Sequence, residues 1–145
     1  MIVRHYMTPH PWVATPASTC LEAAAIMEDR NCGMVPIVRA VDDRAVLGVV
    51  TDRDLFLALC RQGCAPGELV LGAVKTRQPI TCTPDATLNE AAAKMRRNKI
   101  RRLLVTDEGG RLVGVLSLAD LARACLEEQS LSDTELAEVL EALSR

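Results

Sequence analysis

Aromatic side chains are nearly absent from this chain, since Tyr6, Trp12 and Phe56 are the only three among 145 residues. This scarcity leaves no platform of rings on which single-stranded bases could stack. Because 49% of the residues are nevertheless hydrophobic, the core has to be built from Val, Leu, Ile, Ala and Met. The composition therefore predicts a small globular protein with an aliphatic core.

The chain also lacks a strong excess of one charge and a long apolar run. Its formal net charge is −2, which argues against nucleic acid or an anionic membrane as a partner. No apolar stretch approaches the roughly 20 residues that are needed to cross a bilayer. The first six residues do not have the pattern of a signal peptide. We therefore expect a cytoplasmic protein that binds neither nucleic acid nor membrane.

Histidine is rare and cysteine is scattered. The chain has two His and six Cys without a C-x-x-C pair. Cys60 and Cys64 are close in sequence, but no His lies near them to complete a zinc set. Neither a P-loop nor a G-x-G-x-x-G motif occurs. We expect reduced cysteines that behave as small apolar residues, no metal site, no catalytic residues and no enzymatic activity.

An internal repeat is the main positive feature of the sequence. A shift of 68 positions places Thr15-Pro16 on Thr83-Pro84. The same shift places Glu22-Ala23-Ala24-Ala25 on Glu90-Ala91-Ala92-Ala93. Coincidence does not produce so many identities at special residue types, so the chain contains two copies of one unit.

The most informative part of the repeat comes at the end of a β-branched run. Gly48-Val49-Val50-Thr51 matches Gly114-Val115-Leu116-Ser117, and an Asp follows three residues after the Thr or Ser in each copy. Helix N-termini carry unpaired N–H groups and a partial positive charge, so such a start of a helix suits anions. The simpler interpretation is a plain helix cap, and the two roles are compatible.

Each copy is predicted to be a β-α-β-β-α unit. A capping box, Thr19 with Glu22 and Thr87 with Glu90, starts the first helix of each. The predicted strands are Trp12–Thr15, Met34–Val38 and Val46–Thr51 in the first copy, and Ile80–Thr83, Arg102–Thr106 and Leu112–Ser117 in the second. Closing helices are predicted at about 53–60 and 119–126.

The predicted fold class is α/β of the α+β type. One copy alone is marginal for an independent core, so we expect the two to pack sheet to sheet about a pseudo-twofold axis. The predicted domains are 1–66 and 67–129, with a linker at 62–67.

A C-terminal segment, 130–145, lies outside the repeat. Ser132 and Glu135 form another capping box. Apolar residues then recur at helical spacing among acidic ones, namely Leu136, Val139, Leu140 and Leu143. We expect an amphipathic helix that packs on its own module or on a neighbouring subunit, rather than a dedicated partner-binding element.

Taken together, these motifs resemble a tandem pair of cystathionine-β-synthase (CBS) domains, also called a Bateman module. The resemblance rests on Met7-Thr8-Pro9, the two T-P…E-A-A-x-x-M segments, the run from Gly33 to Val38, and the two G-h-h-[ST]-x-x-D segments, where h is apolar. It covers about residues 3–127, which is nearly everything except the C-terminal segment.

The resemblance implies a regulatory ligand-sensing module with no obligatory cofactor. Such modules bind adenosine-containing molecules, namely AMP, ADP, ATP, S-adenosylmethionine or NAD-type dinucleotides, in two clefts between the repeats. They commonly form flat homodimers. Because the chain carries no effector domain, its output would act through an unidentified regulated protein. The alternative is a dimerisation or protein-docking module that binds no nucleotide.

The resemblance also implies roles for single residues. Asp54 and Asp120 are the ribose candidates, because an ionised carboxylate can accept two hydroxyl donors at once. Thr51 and Ser117 lie on the phosphate side. The predicted adenine pocket is lined by Val13, Thr15, Pro36, Thr81, Thr83 and Leu104.

The second copy carries a basic cluster that the first copy lacks. Arg101 and Arg102 precede its middle strand, where the first copy has Gly33 and Met34. Related modules use a basic residue here to reach the phosphate in the other repeat's site, and Arg grips phosphate well. We expect Arg101 or Arg102, with Arg53, to favour phosphorylated ligands beside Thr51 and Asp54; alternatively, these arginines are solvated or paired with acidic groups.

Overall fold

The structure is a computed structural model that describes residues 1–128 and 132–144. It has a mixed α/β fold. In chain order the elements are β1 Thr8–Pro9, α1 Cys20–Arg30, β2 Met34–Val38, β3 Val46–Thr51, α2 Asp52–Gln62, β4 Thr81–Cys82, α3 Leu88–Asn98, β5 Arg102–Thr106, β6 Leu112–Ser117, α4 Leu118–Glu128 and α5 Asp133–Ser144. Short 3-10 turns lie at Val3–His5, Pro66–Glu68 and Leu71–Ala73.

The chain divides into two compact units. The first unit is residues 12–79, and the second unit is residues 80–145 together with residues 1–11. The second unit thus contains the N-terminal segment, although that segment precedes the first unit in sequence. The two repeats of the sequence and the two compact units are therefore not the same divisions of the chain.

The first unit is built around an antiparallel pair of strands. β2 and β3 pair from Met34 opposite Thr51 to Val38 opposite Val46. Ala14 adds a parallel bridge beside Ile37 on the other edge of β2. The predicted extended segment Trp12–Thr15 is therefore reduced to this one bridge. The core is formed by buried aliphatic and small residues, namely Ala14, Cys20, Ala23, Met27, Val35, Ile37, Val50, Leu55, Ala58, Leu69, Leu71 and Val74.

The second unit has a four-stranded sheet in the order β1-β6-β5-β4. β6 is antiparallel to both β1 and β5, whereas β4 is parallel to β5. The predicted segment Ile80–Thr83 appears here as the two-residue strand β4. The core contains Val3, Tyr6, Cys82, Leu88, Ala91, Ala92, Met95, Leu103, Val105, Leu116, Leu121 and Ala124.

The leading segment of each repeat packs on the other repeat's last strand. In the second unit Thr8 lies opposite Val115 in the β1–β6 pair. In the first unit the Val49 N–H donates to the Arg77 carbonyl at 3.1 Å, and the Arg77 N–H donates back to the Val49 carbonyl at 3.0 Å. The segments before the two repeats are thus exchanged, and this exchange defines the two compact units.

The compact units do not divide at 62–67, the predicted linker between the two repeats of the sequence. Residues 66–68 form a 3-10 turn, and Leu69 and Leu71 beyond it are buried in the first unit's core. The chain passes from one unit to the other at 11–12 and 79–80 instead. Gly and Pro at 62–67 mark turns, and a turn between two repeats can lie inside one compact unit.

The predicted helix starts are confirmed by their capping boxes. The Glu22 N–H donates to Thr19 Oγ1 at 3.2 Å, and the Thr19 N–H donates to the Glu22 carboxylate at 3.2 Å. Thr87 and Glu90 repeat the pattern at 3.1 and 2.9 Å. α1 and α3 both end at a residue in the left-handed conformation, with φ of 48° at Asn31 and 53° at Lys99.

The C-terminal helix α5 lies against α3 in the second unit. An ion pair between Arg96 and Glu138 joins the two helices. Glu135 and three of the predicted stripe residues, Leu136, Val139 and Leu143, have side chains outside the described part of the structure, whereas Leu140 is half exposed. The contact between α5 and α3 thus confirms that this helix packs on its own module.

Over residues 1–128 and 132–144, none of the helices combines the length and the apolar character that a membrane span requires.

Candidate ligand-binding site

The two [ST]-x-x-D motifs form matching caps at the starts of α2 and α4. The Asp54 N–H donates to Thr51 Oγ1 at 3.2 Å, and the Thr51 N–H donates to Asp54 Oδ2 at 3.0 Å. The same two bonds join Ser117 and Asp120, at 3.2 and 2.8 Å. Each cap satisfies helix N–H groups that would otherwise lack a partner. The helix-cap interpretation is therefore confirmed in both copies.

Asp54 forms an ion pair with an arginine from the segment that follows the first repeat. Arg77 Nε donates to Asp54 Oδ2 at 3.2 Å, and Arg77 Nη2 donates to Asp54 Oδ1 at 3.2 Å. The carboxylate side chain is 13% exposed, whereas the arginine is 58% exposed. Partial burial alone would raise the pKa of the Asp54 carboxyl, but the hydrogen bonds from Arg77 and Thr51 outweigh it and hold the pKa below its ordinary value.

Asp120 forms an ion pair with an arginine of its own helix. Arg123 Nη2 donates to Asp120 Oδ1 at 2.8 Å, three residues along α4. The Ser117 hydroxyl adds a bond to Asp120 Oδ2 at 2.9 Å. The Asp120 side chain is 10% exposed, so this carboxylate is held by local contacts in a nearly buried position.

Three of the predicted adenine-pocket residues lie close together in the first unit. The Ala14 N–H donates to the Pro36 carbonyl at 2.9 Å, which places Val13 and Thr15 beside the middle of β2. Pro36 is buried, but its neighbours Val35 and Ile37 point into the core cluster. Because successive side chains of a strand point to opposite faces, Pro36 lies on the other face of β2. Because β2 pairs with β3, these residues share a sheet with the Thr51 motif.

The other three adenine-pocket residues lie in the second unit. Thr81 of β4 pairs with Leu104 of β5, which is 2% exposed, and Thr83 follows directly after β4. Thr81 and Thr83 also line an open cavity of about 450 Å³. Its other walls come from the turn before α3, α3 and the end of β5, through Cys82, Ala86, Glu90, Ala93, Lys94, Arg97 and Thr106.

The predicted phosphate-side arginines are divided between the two units. Arg102 lies opposite Ser117 in the β5–β6 pair, and the Arg101 carbonyl accepts the Leu118 N–H at 2.8 Å. Both therefore lie beside the Ser117 motif of their own unit. Arg53 is exposed at the start of α2. That Arg101 or Arg102 reaches the Thr51 motif stays a prediction.

Two arginines of the site were missed in the sequence. Arg123 could have been found, because a residue three positions after Asp120 lies on the same helix face. Arg77 lies 23 residues from Asp54, and no local spacing connects them. The only hint is its place directly before the second repeat, which matters once the exchange of leading segments is known.

The comparison with known families follows the repeat closely. The CBS domain family matches the chain twice, at residues 3–61 and 71–127. The chain belongs to the CBS domain family. The CBS domain-containing protein YhcV of Bacillus subtilis is 32% identical over 120 residues, which cover 83% of this chain and 82% of YhcV. Other curated CBS relatives are longer, and the chain spans 54% and 57% of two of them.

Solved CBS structures share this fold. The CBS domain protein PAE2072 from Pyrobaculum aerophilum, complexed with AMP, has a TM-score of 0.70 and 26% identity over the whole of both chains. The CBS domain pair of protein MJ0100, in complex with 5-methylthioadenosine and S-adenosyl-L-methionine, has a TM-score of 0.69 and 27% identity, covering 86% of this chain and 98% of that chain.

Among residues 1–128 and 132–144, no group of three or more His, Cys, Asp or Glu side chains is arranged to hold a metal ion.

Proposed function

We propose that this protein is a regulatory CBS module that senses an adenosine-containing ligand, with AMP, ADP, ATP and S-adenosylmethionine as the candidates. The observation that carries the proposal is the pair of nearly buried carboxylates, Asp54 and Asp120, each fixed by the same cap at the start of a helix. CBS proteins of the same fold bind AMP, or 5-methylthioadenosine and S-adenosyl-L-methionine, which supports this ligand class.

Hydrogen-bond arithmetic describes how a ribose would bind. A carboxylate offers about four lone-pair positions. Asp54 already accepts one backbone N–H together with the Nε and Nη2 donors of the single guanidinium group of Arg77, and Asp120 accepts one backbone N–H, one hydroxyl and one guanidinium N–H. A ribose diol brings two further donors, so the arginine has to share or leave the carboxylate. Arg77 or Arg123, once released, would be a ready partner for the ligand phosphate.

The proposed phosphate-side residues are Thr51, Ser117, Arg53, Arg101 and Arg102, as the resemblance to CBS pairs implies. The adenine would contact Val13, Thr15 and Pro36, or Thr81, Thr83 and Leu104. A homodimer in the cytoplasm that acts on a separate regulated protein, without catalysis of its own, completes the proposal. The six free cysteines are compatible with a reducing compartment.

A thermal-shift screen tests the proposal directly. Purified protein is heated with AMP, ADP, ATP, S-adenosylmethionine or NAD, with and without Mg²⁺. A ligand at about 100 times its Kd adds roughly 2.7 kcal/mol of stability, so the melting temperature should rise with at least one of them. The rise should be lost in the Asp54→Asn, Asp120→Asn double variant.

The matched control is Asp52→Asn, which removes a neighbouring exposed carboxylate from the first turn of α2. It should keep the full ligand shift. A screen with no shift for any adenosyl compound, or a shift that survives the double variant, contradicts the proposal.

A second candidate is a docking module that binds no nucleotide. It is favoured by the exposure of large apolar side chains in the first unit, because Trp12 is 55% and Phe56 is 65% exposed. Sedimentation analysis of Phe56→Ser would distinguish the two. This variant should dissociate an assembly that depends on the apolar surface and should leave an adenosyl shift in place.

A further inference from the structure

We propose that the second unit contains an anion site, apart from the two [ST]-x-x-D motifs, that takes a small phosphate monoester. The site is the cavity between β4 and α3. Its volume of about 450 Å³ lies within the range of about 300–1,000 Å³ that is usual for ligand pockets. None of the cap residues lines this cavity, so the inference does not rest on the [ST]-x-x-D motifs. The cavity shares Thr81 and Thr83 with the proposed adenine pocket of the second unit, so an adenine bound there would compete with this ligand.

Two cations project from one face of α3 into the cavity wall. Lys94 is half-buried, and its Nζ donates to the Thr81 carbonyl at 2.7 Å. This bond fixes the ammonium group at the edge of β4 and leaves two of its three N–H donors for a ligand. The lysine is thereby preorganised rather than mobile in solvent.

Arg97 lies three residues further along the same helix face. It is exposed and makes neither an ion pair nor a hydrogen bond with any described residue through its side chain. Its planar guanidinium group offers five donors in a geometry that matches a phosphate group. The cavity wall therefore carries two cations. The Lys94 ammonium group is held in place by its hydrogen bond, whereas the exposed Arg97 guanidinium group can adjust to a ligand.

Hydroxyl groups complete the donor set. Thr81, Thr83 and Thr106 all line the cavity, and none of their hydroxyls bonds to a described residue. Thr106 is only 9% exposed. Threonine hydroxyls are good donors to phosphate oxygens. Burial raises the pKa of the Cys82 thiol although Lys94 opposes the shift, so the thiol is neutral and does not repel an anion.

The other repeat shows that the fold does not need these cations. By the 68-residue shift, Lys94 corresponds to Ile26 and Arg97 to Asp29. Those residues line the corresponding groove of the first unit, which has a volume of about 590 Å³, together with Trp12, Ala25, Glu28 and Arg30. An apolar and an acidic side chain thus serve equally well at these positions of the helix. Arginine and acidic side chains meet in the first groove, so an excess of positive over negative side chains is found only in the cavity of the second unit.

Glu90, the acidic residue of the cavity lining, indicates which group the ligand carries beside its phosphate. Glu90 lies seven residues before Arg97 on α3, which is about 10 Å along the helix axis. One of its carboxylate oxygens accepts the Thr87 N–H at 2.9 Å, and the other is available to a ligand hydroxyl. A phosphate near Arg97 with a hydroxylated carbon chain directed toward Glu90 matches this arrangement, which is why we assign a phosphate monoester.

Titration calorimetry with glycerol 3-phosphate and with inorganic phosphate tests the site. Both should bind the wild-type protein at millimolar concentration, against a background of chloride at equal ionic strength. Arg97→Asp and Lys94→Ile copy the first repeat, and each should weaken binding by at least about tenfold, because a charge-assisted bond to phosphate is lost. Melting curves establish that the variants are folded.

The matched control is Arg111→Asp, which makes the same change of charge at an exposed position on the β5–β6 turn. It should leave the affinity within about twofold. Arg97→Asp should also keep the melting-temperature rise of the adenosyl screen, which separates this site from the adenosyl proposal. If Lys94→Ile does not fold, the exposed Arg97→Asp carries the test alone.

Three outcomes would overturn the inference. The first is wild-type protein that shows no heat beyond the chloride background. The second is an equal loss of affinity in Arg111→Asp and Arg97→Asp, which would mean a general effect of charge. The third is binding of inorganic phosphate without glycerol 3-phosphate, which would exclude the monoester class.

Discussion

The two copies of the [ST]-x-x-D motif have the same cap and different arginines. Asp120 is held by Arg123 within one turn of its own helix. Asp54 is held by Arg77, which belongs to the segment that leads out of the first unit. The local chemistry is repeated, whereas its connection to the rest of the chain is not. A ligand that displaces the Arg77 side chain would remove one of the contacts that hold that segment, beside its two backbone bonds to Val49, while one that displaces Arg123 would affect only α4.

The two motifs have different arginine partners because the two exchanged segments have different side chains at the corresponding place. In the first unit, residues 76–77 lie against β3 and bring a guanidinium group to the start of α2. In the second unit, Thr8 and Pro9 lie against β6 in the corresponding place, and neither has a guanidinium group. Arg123 supplies the missing cation from within α4. One position in a repeat thus decides whether a site is tied to a distant segment.

The largest expected effect concerns the glycines beneath the exchanged segments. A Cβ at either glycine would lie 3.1 Å from a backbone carbonyl oxygen, that of Thr8 for Gly114 and that of Arg77 for Gly48. The Cβ at Gly114 would also lie 2.6 Å from Met7 Sδ, whereas the one at Gly48 would lie 3.0 Å from Thr76 Oγ1. We expect Gly114→Ala to cost about 2–3 kcal/mol and Gly48→Ala about 1 kcal/mol, because at Gly114 the packed Met7 side chain has to move in addition to the neighbouring backbone. Urea denaturation measures both.

Gly109→Ala serves as the control, because its Cβ would meet only the Asp107 carboxylate at 3.4 Å. Its stability should match the wild type. Equal losses at Gly48 and Gly114 would show that the two segments press equally on their sheets, contrary to the geometry.

The parts of the structure that depend on neighbouring residues could be predicted from the sequence. The caps at Thr19 and Thr87 and the [ST]-x-x-D caps are set by residues within four positions of each other. The repeat is visible as identities at a fixed shift along the chain. The exchange of leading segments could not be predicted, because both copies of the segment would fit either sheet by pattern alone. Arg77 was missed for the same reason, since its bond to Asp54 exists only once that segment is placed.

The second prediction compares the two carboxylates. We expect Asp120→Ala to lower the free energy of unfolding by about 2 kcal/mol, because Ser117 would lose the acceptor for both its N–H and its hydroxyl in a nearly buried place. Asp54→Ala should cost about 1 kcal/mol, the usual value for a lost cap, because its arginine is exposed and gains water in return. Chemical denaturation of both variants tests the order, and a larger loss for Asp54→Ala would reverse it.

The third prediction concerns the two arginines and is smaller in energy. Each exposed ion pair should contribute less than about 1 kcal/mol, so neither Arg77→Ala nor Arg123→Ala should unfold the protein. Hydrogen exchange should nevertheless differ. Arg77→Ala should speed exchange at the amides of Val49 and residue 77, which bond across the exchanged segment. Arg123→Ala should leave the β1–β6 amides unchanged, and faster exchange there would contradict local anchoring.

The last prediction concerns the dependence of stability on pH that arises from the Asp54 carboxyl, which can be measured only in acid. The pKa of the folded Asp54 carboxyl lies below its ordinary value of 3.8, so the ionised group stabilises the first unit fully above that value. This stability is lost as the pH falls from about 3.8 through the lower pKa of the folded state, because the unfolded chain takes up the proton first. Denaturation midpoints measured at falling pH should show a decline that Asp54→Asn reduces. Arg77→Met should reduce it in part, since the Thr51 bonds remain; an unchanged acid limb in Arg77→Met would mean that the arginine merely lies beside the carboxylate and does not set its charge.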